Sequence, residues 1–160
     1  MENTKMLEIE RKFLVKDQSY KNRAFKYTRI AQGYLNSNPQ RTVRVRMYGD
    51  EAFITVKGIP DAAGTTRFEW EKKIDKTDAE ALLKLCEEGV IQKTRYLINA
   101  GPHTYEVDEF YEDNLGLVVA EIELGDTTED FIKPEWLGKE VTGEMRYYNS
   151  QLSKTPFNQW

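Results

Sequence analysis

The sequence predicts a mainly β fold, a barrel or strongly curved sheet of about eight antiparallel strands with few helices. Three observations predict it. Most of the chain alternates apolar and polar residues with period two. Segments rich in Gly, Asn, Asp and Pro punctuate the alternating runs. The connections between runs are short, which favours antiparallel neighbours.

The first strand is expected over 6–15, where Leu7, Ile9, Phe13 and Val15 share one parity and Glu8, Glu10 and Lys12 the other. A short helical turn fits 16–24. Strands follow over 25–36, 41–48 and 51–58, the last two joined by Gly49-Asp50. The segment Gly58–Gly64 leads into a strand over 65–74. A helix begins next. Thr77-Asp78-Ala79-Glu80 has the form of a capping box, Leu82, Leu83 and Cys86 supply an apolar stripe, and Gly89 suits the C′ position. Strands over 91–98, 103–111 and 116–124 complete the set, separated by Asn99–Pro102 and Glu112–Gly116. A second helix is expected near 144–153.

The chain has 160 residues, enough for one domain with a sizeable core, so 1–160 is read as a single domain. Aromatic residues at 12% argue against disorder despite 31% charged residues. A net charge of −4 gives no global reason to expect nucleic-acid binding. With the single cysteine Cys86, no internal disulfide is expected, and with His103 as the only histidine a zinc site is not expected either. The N-terminal stretch has no apolar h-region, and no run approaches the roughly 18 apolar residues of a membrane span. The chain is therefore read as cytoplasmic, with no membrane partner.

Charges two apart on a strand share a face, about 6.5–7 Å from each other. Seven strands carry such sets: Glu8/Glu10/Lys12, Arg44/Arg46, Thr55/Lys57, Arg67/Glu69/Glu71/Lys73, Lys93/Arg95, Glu106/Asp108 and Glu121/Glu123. A single strand of this kind reads as a half-solvated sheet. The whole set reads differently, because several pairs are of one sign and like charges this close repel. A carboxylate pair is relieved by a cation, and an Arg/Lys pair by an anion. A barrel interior holding Mg²⁺ near one wall and a polyphosphate against the other satisfies both. No Gly-rich P-loop or dinucleotide fingerprint offers another phosphate site.

Glu8-Ile-Glu10-Arg-Lys12 resembles the opening E-x-E-x-K of the CYTH superfamily, the triphosphate tunnel metalloenzymes. The resemblance continues in order through Gln32-Gly-Tyr-Leu35, Thr42-Val-Arg44-Val-Arg46, Ile54-Thr-Val-Lys57-Gly58, Phe68-Glu69-Trp70-Glu71, Lys93-Thr-Arg95, Glu106-Val-Asp108, Ala120-Glu121-Ile-Glu123-Leu124, and Val141-Thr142 with Arg146-Tyr147-Tyr148-Asn149. It spans essentially the whole chain. It implies a closed eight-stranded antiparallel tunnel with a few flanking helices, and metal-dependent action on a triphosphate with Mg²⁺ or Mn²⁺, two ions in number.

The resemblance assigns the metal to Glu8, Glu10, Glu121 and Glu123, whose alternative is salt bridging to lumen cations. Substrate phosphates are assigned to Lys12, Arg44, Arg46, Lys57, Lys93 and Arg95, with Lys73, Arg67 and Arg146 as further candidates. Lys73 and Arg67 alternatively sit at a tunnel mouth, and Arg146 alternatively is a surface helix charge. Glu69, Glu71, Glu106 and Asp108 are read as supporting lumen carboxylates. Catalysis is expected from Glu10, Glu123 and Lys12. Tyr34, Trp70 and Tyr105 are read as core or rim aromatics, Cys86 as a buried helix residue and His103 as exposed. Expected activities are hydrolysis of inorganic triphosphate to pyrophosphate and phosphate, with another CYTH activity (thiamine triphosphatase, or a cyclase making cyclic AMP from ATP) and a non-catalytic polyphosphate or nucleotide binder as alternatives. A homodimer is compatible with the chain.

Overall fold

The computed structural model describes residues 6–160; the leading five residues, on which part of the leader reading rests, lie outside them. The chain runs β1 (Leu7–Val15), α1 (Tyr20–Arg23), β2 (Lys26–Asn36), β3 (Arg41–Tyr48), β4 (Glu51–Gly58), β5 (Thr66–Ile74), α2 (Lys76–Leu83), β6 (Ile91–Ala100), β7 (His103–Phe110), β8 (Val118–Glu123), β9 (Leu137–Glu140) and α3 (Asn149–Leu152). Short 3-10 turns occupy Glu112–Asn114, Met145–Tyr147 and Phe157–Gln159.

All strand pairings are antiparallel. The order β5-β4-β3-β2-β6-β7-β8-β1 closes on itself through β5–β1, so the eight expected strands form a closed barrel. Closure is divided along one edge of β1. Leu7–Ile9 pair with β5, while Phe13 and Val15 pair with β9, a ninth strand that the sequence reading did not include. Four residues, LGKE, are too few to show alternation. Arg11, on the outer face of β1, anchors β9 by a two-point contact with Glu140 at 2.8 and 2.6 Å.

Most of the apolar core lies outside the barrel. Phe13, Tyr105, Val107, Ala120 and Ile122 point away from the lumen and pack beneath Tyr20, Trp136 and Leu137. A second cluster lies on the inward parity at one end of the barrel, where Phe110, in register with Lys93, and Val119, in register with Asp108, pack under Tyr147 and Leu152. On the opposite wall Val45 and Ala52 pack beneath Ala79 of α2. The covering segments bury the outer face of these strands, which leaves the inner parity, beyond that apolar end, for charge.

Helix details depart from the expectation. The N-cap of α2 is Asp75, not Thr77, and no side-chain hydrogen bond forms there. The helix ends at Leu83, so Cys86 lies beyond it, half-buried. Gly89 is not its C′ residue. It holds φ +93° where a Cβ would fall 1.9 Å from the Ser153 carbonyl oxygen, so it serves close passage of the C-terminal segment. The helix expected near 144–153 is one 3-10 turn and one α turn, separated at Tyr148. His103 is half-buried at the start of β7, paired with Glu129, rather than exposed.

Candidate active site

The strand register brings the charged parity of each run into one lumen. Glu10 lies opposite Glu123 and Lys12 opposite Glu121 on β1–β8. Glu8 lies opposite Arg67, Lys57 opposite Glu69, and Arg95 opposite Asp108. The cavity they enclose has a volume of about 200 Å³. Seven cations line it, Lys12, Arg44, Arg46, Lys57, Arg67, Lys93 and Arg95, against seven carboxylates, Glu8, Glu10, Glu69, Glu71, Glu106, Glu121 and Glu123. The other lining residues, Thr42, Thr55, Tyr34, Tyr148, Asn149 and Ser150, are all polar.

Three of the expected residues are outside the lining: Asp108, which lies behind it, and two cations. Lys73 follows the inward parity of β5 but emerges beyond the mouth, where its side chain is 64% exposed and pairs with Glu51 at 2.7 Å. Arg146 lies in the C-terminal segment with its guanidinium over the Trp160 ring at 4.5 Å, away from the cavity lining. Tyr34, read as a core or rim aromatic, is buried and lines the lumen. Trp70 is partly exposed, as a rim residue would be, and Tyr105 is core.

The β6–β7 wall is tightly paired. Asp108 sits behind the lining, accepting from Lys93 Nζ at 2.8 Å and from Arg95 Nε and Nη2 at 2.8 and 2.9 Å. Glu106 takes Arg95 Nη1 at 3.0 Å. Burial alone would raise the Asp108 carboxyl, but the Arg95 and Lys93 charges hold it down at about 2. Burial also brings Lys93 down to about 8.

The opposite seam is less balanced. Lys57 Nζ donates to both Glu8 oxygens, at 2.9 and 3.1 Å, and approaches Glu69 at 3.2 Å. Burial acts to raise Glu8, yet Lys57 and Arg67 keep it well below the usual carboxylate range. Glu69 is pushed up to about 7 by burial and by its hydrogen bond with Glu8. Glu121 stays low because Lys12, 3.5 Å away, together with Arg95 and Lys93 outweighs its burial. Glu10 makes no ion pair among the described residues. Burial, then the nearby charges of Glu121 and Glu8, raise it to about 8.

One end of the lumen is bordered by the C-terminal segment, which sequence reasoning treated only as a source of Arg146. Tyr148 places its ring 4.6 Å from Lys12 Nζ and 5.3 Å from the Arg67 guanidinium. Asn149 Oδ1 accepts from Lys93 at 2.9 Å. The segment can lie this close because Gly64, at φ +75°, has no Cβ to meet Gly143, whose Cα would be 2.3 Å away. The RYYN run was the available signal: its last two residues, Tyr148 and Asn149, line the cavity.

The donor set fits a hard divalent cation. Glu10 and Glu123 are directly opposed carboxylates, an arrangement that is unfavourable unless a proton or cation relieves it. Carboxylate oxygens are the ligands such ions prefer, and Glu8 and Glu121 line the same cavity. As placed, with Glu8 turned to Lys57 and Glu121 to Lys12, no three acidic, His or Cys side chains among the described residues converge as a metal cluster.

A closed antiparallel barrel around a wholly polar lumen of opposed cations and carboxylates is the architecture of a charged tunnel. The chain belongs to the CYTH family, whose domain matches residues 6–156. It is 46% identical over 151 residues to the inorganic triphosphatase of Acetivibrio thermocellus, covering 94% of this chain and 95% of that protein. It is 35% identical to the inorganic triphosphatase of Nitrosomonas europaea, covering 92% and 97%. A solved inorganic triphosphatase structure superposes with a TM-score of 0.65 at 34% identity, covering 91% of this chain and 97% of that one.

Proposed function

We propose that the protein is a metal-dependent inorganic triphosphatase that hydrolyses triphosphate to pyrophosphate and phosphate within the tunnel. The observation that carries this reading is the lining. Every lining side chain is polar, with seven cations, and the two aromatics present are tyrosines. Sites for organic ligands are predominantly apolar, as a nucleobase or a thiamine ring would require. An inorganic polyphosphate requires only donors and positive charge. The relatives named above carry the same activity in their names.

Lys12, Arg44, Arg46, Lys57, Lys93 and Arg95 hold the phosphate oxygens, with Arg67 beside them. Glu8, Glu10, Glu121 and Glu123 would hold Mg²⁺ or Mn²⁺, two ions. The seven cations and seven carboxylates of the lumen cancel formally, so ions bound there would add the net positive charge that a triphosphate needs and supply Lewis-acid neutralisation of charge on the transferring phosphoryl group. Glu10 or Glu123 positions a water for in-line attack on a terminal phosphorus. Lys12 neutralises the oxygens of that phosphoryl group, and the Asp108-anchored pair of Lys93 and Arg95 keeps the chain of phosphates extended.

The test is to incubate the purified protein with triphosphate, thiamine triphosphate, ATP or pyrophosphate, each with Mg²⁺ or Mn²⁺. Equimolar phosphate and pyrophosphate from triphosphate is the expected result. Cyclic AMP from ATP without phosphate release would replace the reading with a cyclase. Tight triphosphate binding without turnover of any compound would make the protein a binder.

A further inference from the structure

Gln32 belongs to the Gln32–Leu35 run of β2, to which no role has fallen so far. Its pleat position points it into the barrel. It lies directly opposite Arg46 in the β2–β3 register and two residues from Tyr34, and both of those line the cavity. It is fully buried, and neither atom of its side-chain amide has a hydrogen-bond partner. A buried amide left unpaired is costly, about 1–3 kcal/mol per group. An apolar residue would fill the same position without that cost.

Arg46 has the complementary deficit. It is buried, and its Nε is also without an acceptor. Its one ion pair among the described residues is a 3.5 Å approach to Glu71, and its guanidinium lies over Tyr48 and Phe53 at 5.2 and 5.8 Å. Arg95, by contrast, is held at two points by Asp108. Directly opposed side chains have Cβ atoms about 4.5–5.5 Å apart, so the Gln32 carbonyl is within reach of Arg46 Nε after a rotamer change.

We propose that Gln32 is a positioning residue for Arg46. Its Oε1 accepts from Arg46 Nε when the guanidinium turns to a substrate phosphate, fixing the fork for two-point contact. A neutral amide suits this task better than a carboxylate. It orients the arginine without cancelling the charge that the phosphate needs. Asp108 and Gln32 thus serve the two walls differently, one by permanent pairing and one by pairing only when ligand is present.

The inference rests on the triphosphatase reading, and the experiment separates the two. Steady-state kinetics and calorimetric triphosphate binding are measured for the wild type, Gln32→Leu, Gln32→Met, Arg46→Ala and the Gln32→Leu/Arg46→Ala double variant. Gln32→Leu and Gln32→Met are expected to raise KM and Kd for triphosphate about tenfold with kcat within twofold, while Tm is unchanged or higher. In the Arg46→Ala background Gln32→Leu adds no further loss. An unchanged KM in folded Gln32→Leu and Gln32→Met, or a loss that persists without Arg46, overturns the positioning role alone. A wild type that neither binds nor hydrolyses triphosphate overturns both readings.

Discussion

The β6–β7 wall and the β1–β8–β5 seam face the same lumen and handle like charges in opposite ways. Lys93 and Arg95 stand two residues apart on β6, and Asp108 behind them satisfies both with contacts of 2.8–2.9 Å. On the seam, Glu10 stands opposite Glu123 with no ion pair of its own among the described residues, and its carboxyl is driven up to about 8. One wall is internally paired, whereas the other keeps a carboxyl whose charge a cation would relieve. On the proposed reading, the difference separates charges that build the tunnel from charges that await cargo, a distinction that composition alone does not make.

The comparison breaks first at Glu10. Glu10→Gln keeps the shape and removes a carboxyl whose charged form burial and the neighbouring carboxylates disfavour, so the variant should melt at or above the wild-type temperature without metal. Activity should fall by about 10³-fold, equivalent to several kcal/mol of lost charge stabilisation in the transition state. Mg²⁺ should raise the wild-type Tm and raise that of the variant much less. Near-normal turnover, or an equal Mg²⁺ shift in both proteins, would remove Glu10 from the metal site.

Asp108→Asn probes the internally paired wall and should cost stability instead. Two buried cations would lose their shared counter-charge, a loss of about 3–5 kcal/mol in denaturant unfolding. Its pH dependence has a definite sign. The Asp108 carboxyl lies at about 2 in the folded protein, against an ordinary value of 3.8. Its contribution is therefore present above pH 3.8 and lost as pH falls towards 2. The stability gap between wild type and Asp108→Asn should narrow across that window. A gap that stays constant from pH 5 to pH 2 would mean that the charge of Asp108 is not what holds Lys93 and Arg95.

Between these extremes lies Thr55, which is buried. Its Oγ1 donates to Glu71 at 2.8 Å and accepts from Arg44 at 3.1 Å. Thr55→Val preserves volume and leaves Arg44 and Glu71 only their direct contact at 3.4 Å. KM for triphosphate should rise about fivefold with little change in Tm, since two neutral-to-charged hydrogen bonds are lost at a lumen wall. An unchanged KM would show that Arg44 needs no such tether.

Most of this was legible because a strand has a period of two. Once the runs were placed, parity alone put Glu8, Lys12, Arg44, Lys57, Lys93, Arg95 and Glu121 on one face, and the register confirms each. What parity does not encode is where a strand leaves the barrel, or depth. Lys73 keeps the inward phase of β5 but lies past the mouth. Asp108 keeps the phase of Glu106 but sits behind the lining. Gln32 was hidden differently, since a neutral residue in an apolar run looks like core until its unpaired amide is seen. β9 and the true start of α2 depend on tertiary contacts made by segments with weak local signals. Arg146, for which a surface position stood as the alternative, lies in a three-residue 3-10 turn, which has no face to read.

The smallest expected effects belong to Arg146 and Lys73, and they test whether the lumen boundary is drawn correctly. Both are cations that the sequence offered to the substrate, and both are accommodated elsewhere. Lys73→Ala removes an exposed, solvent-screened pair with Glu51, which contributes little to stability. Arg146→Ala removes a guanidinium stacked on Trp160, worth about 0.5–1 kcal/mol at an exposed site. Neither should change KM for triphosphate by more than twofold, whereas Arg44→Ala or Lys57→Ala, inside the same barrel, should change it by tenfold or more (about 1.4 kcal/mol). If Arg146→Ala instead raised KM like a lumen variant, the C-terminal segment would have to swing its arginine off Trp160 during turnover. The end of the tunnel bordered by Tyr148 would then be a moving part rather than a wall.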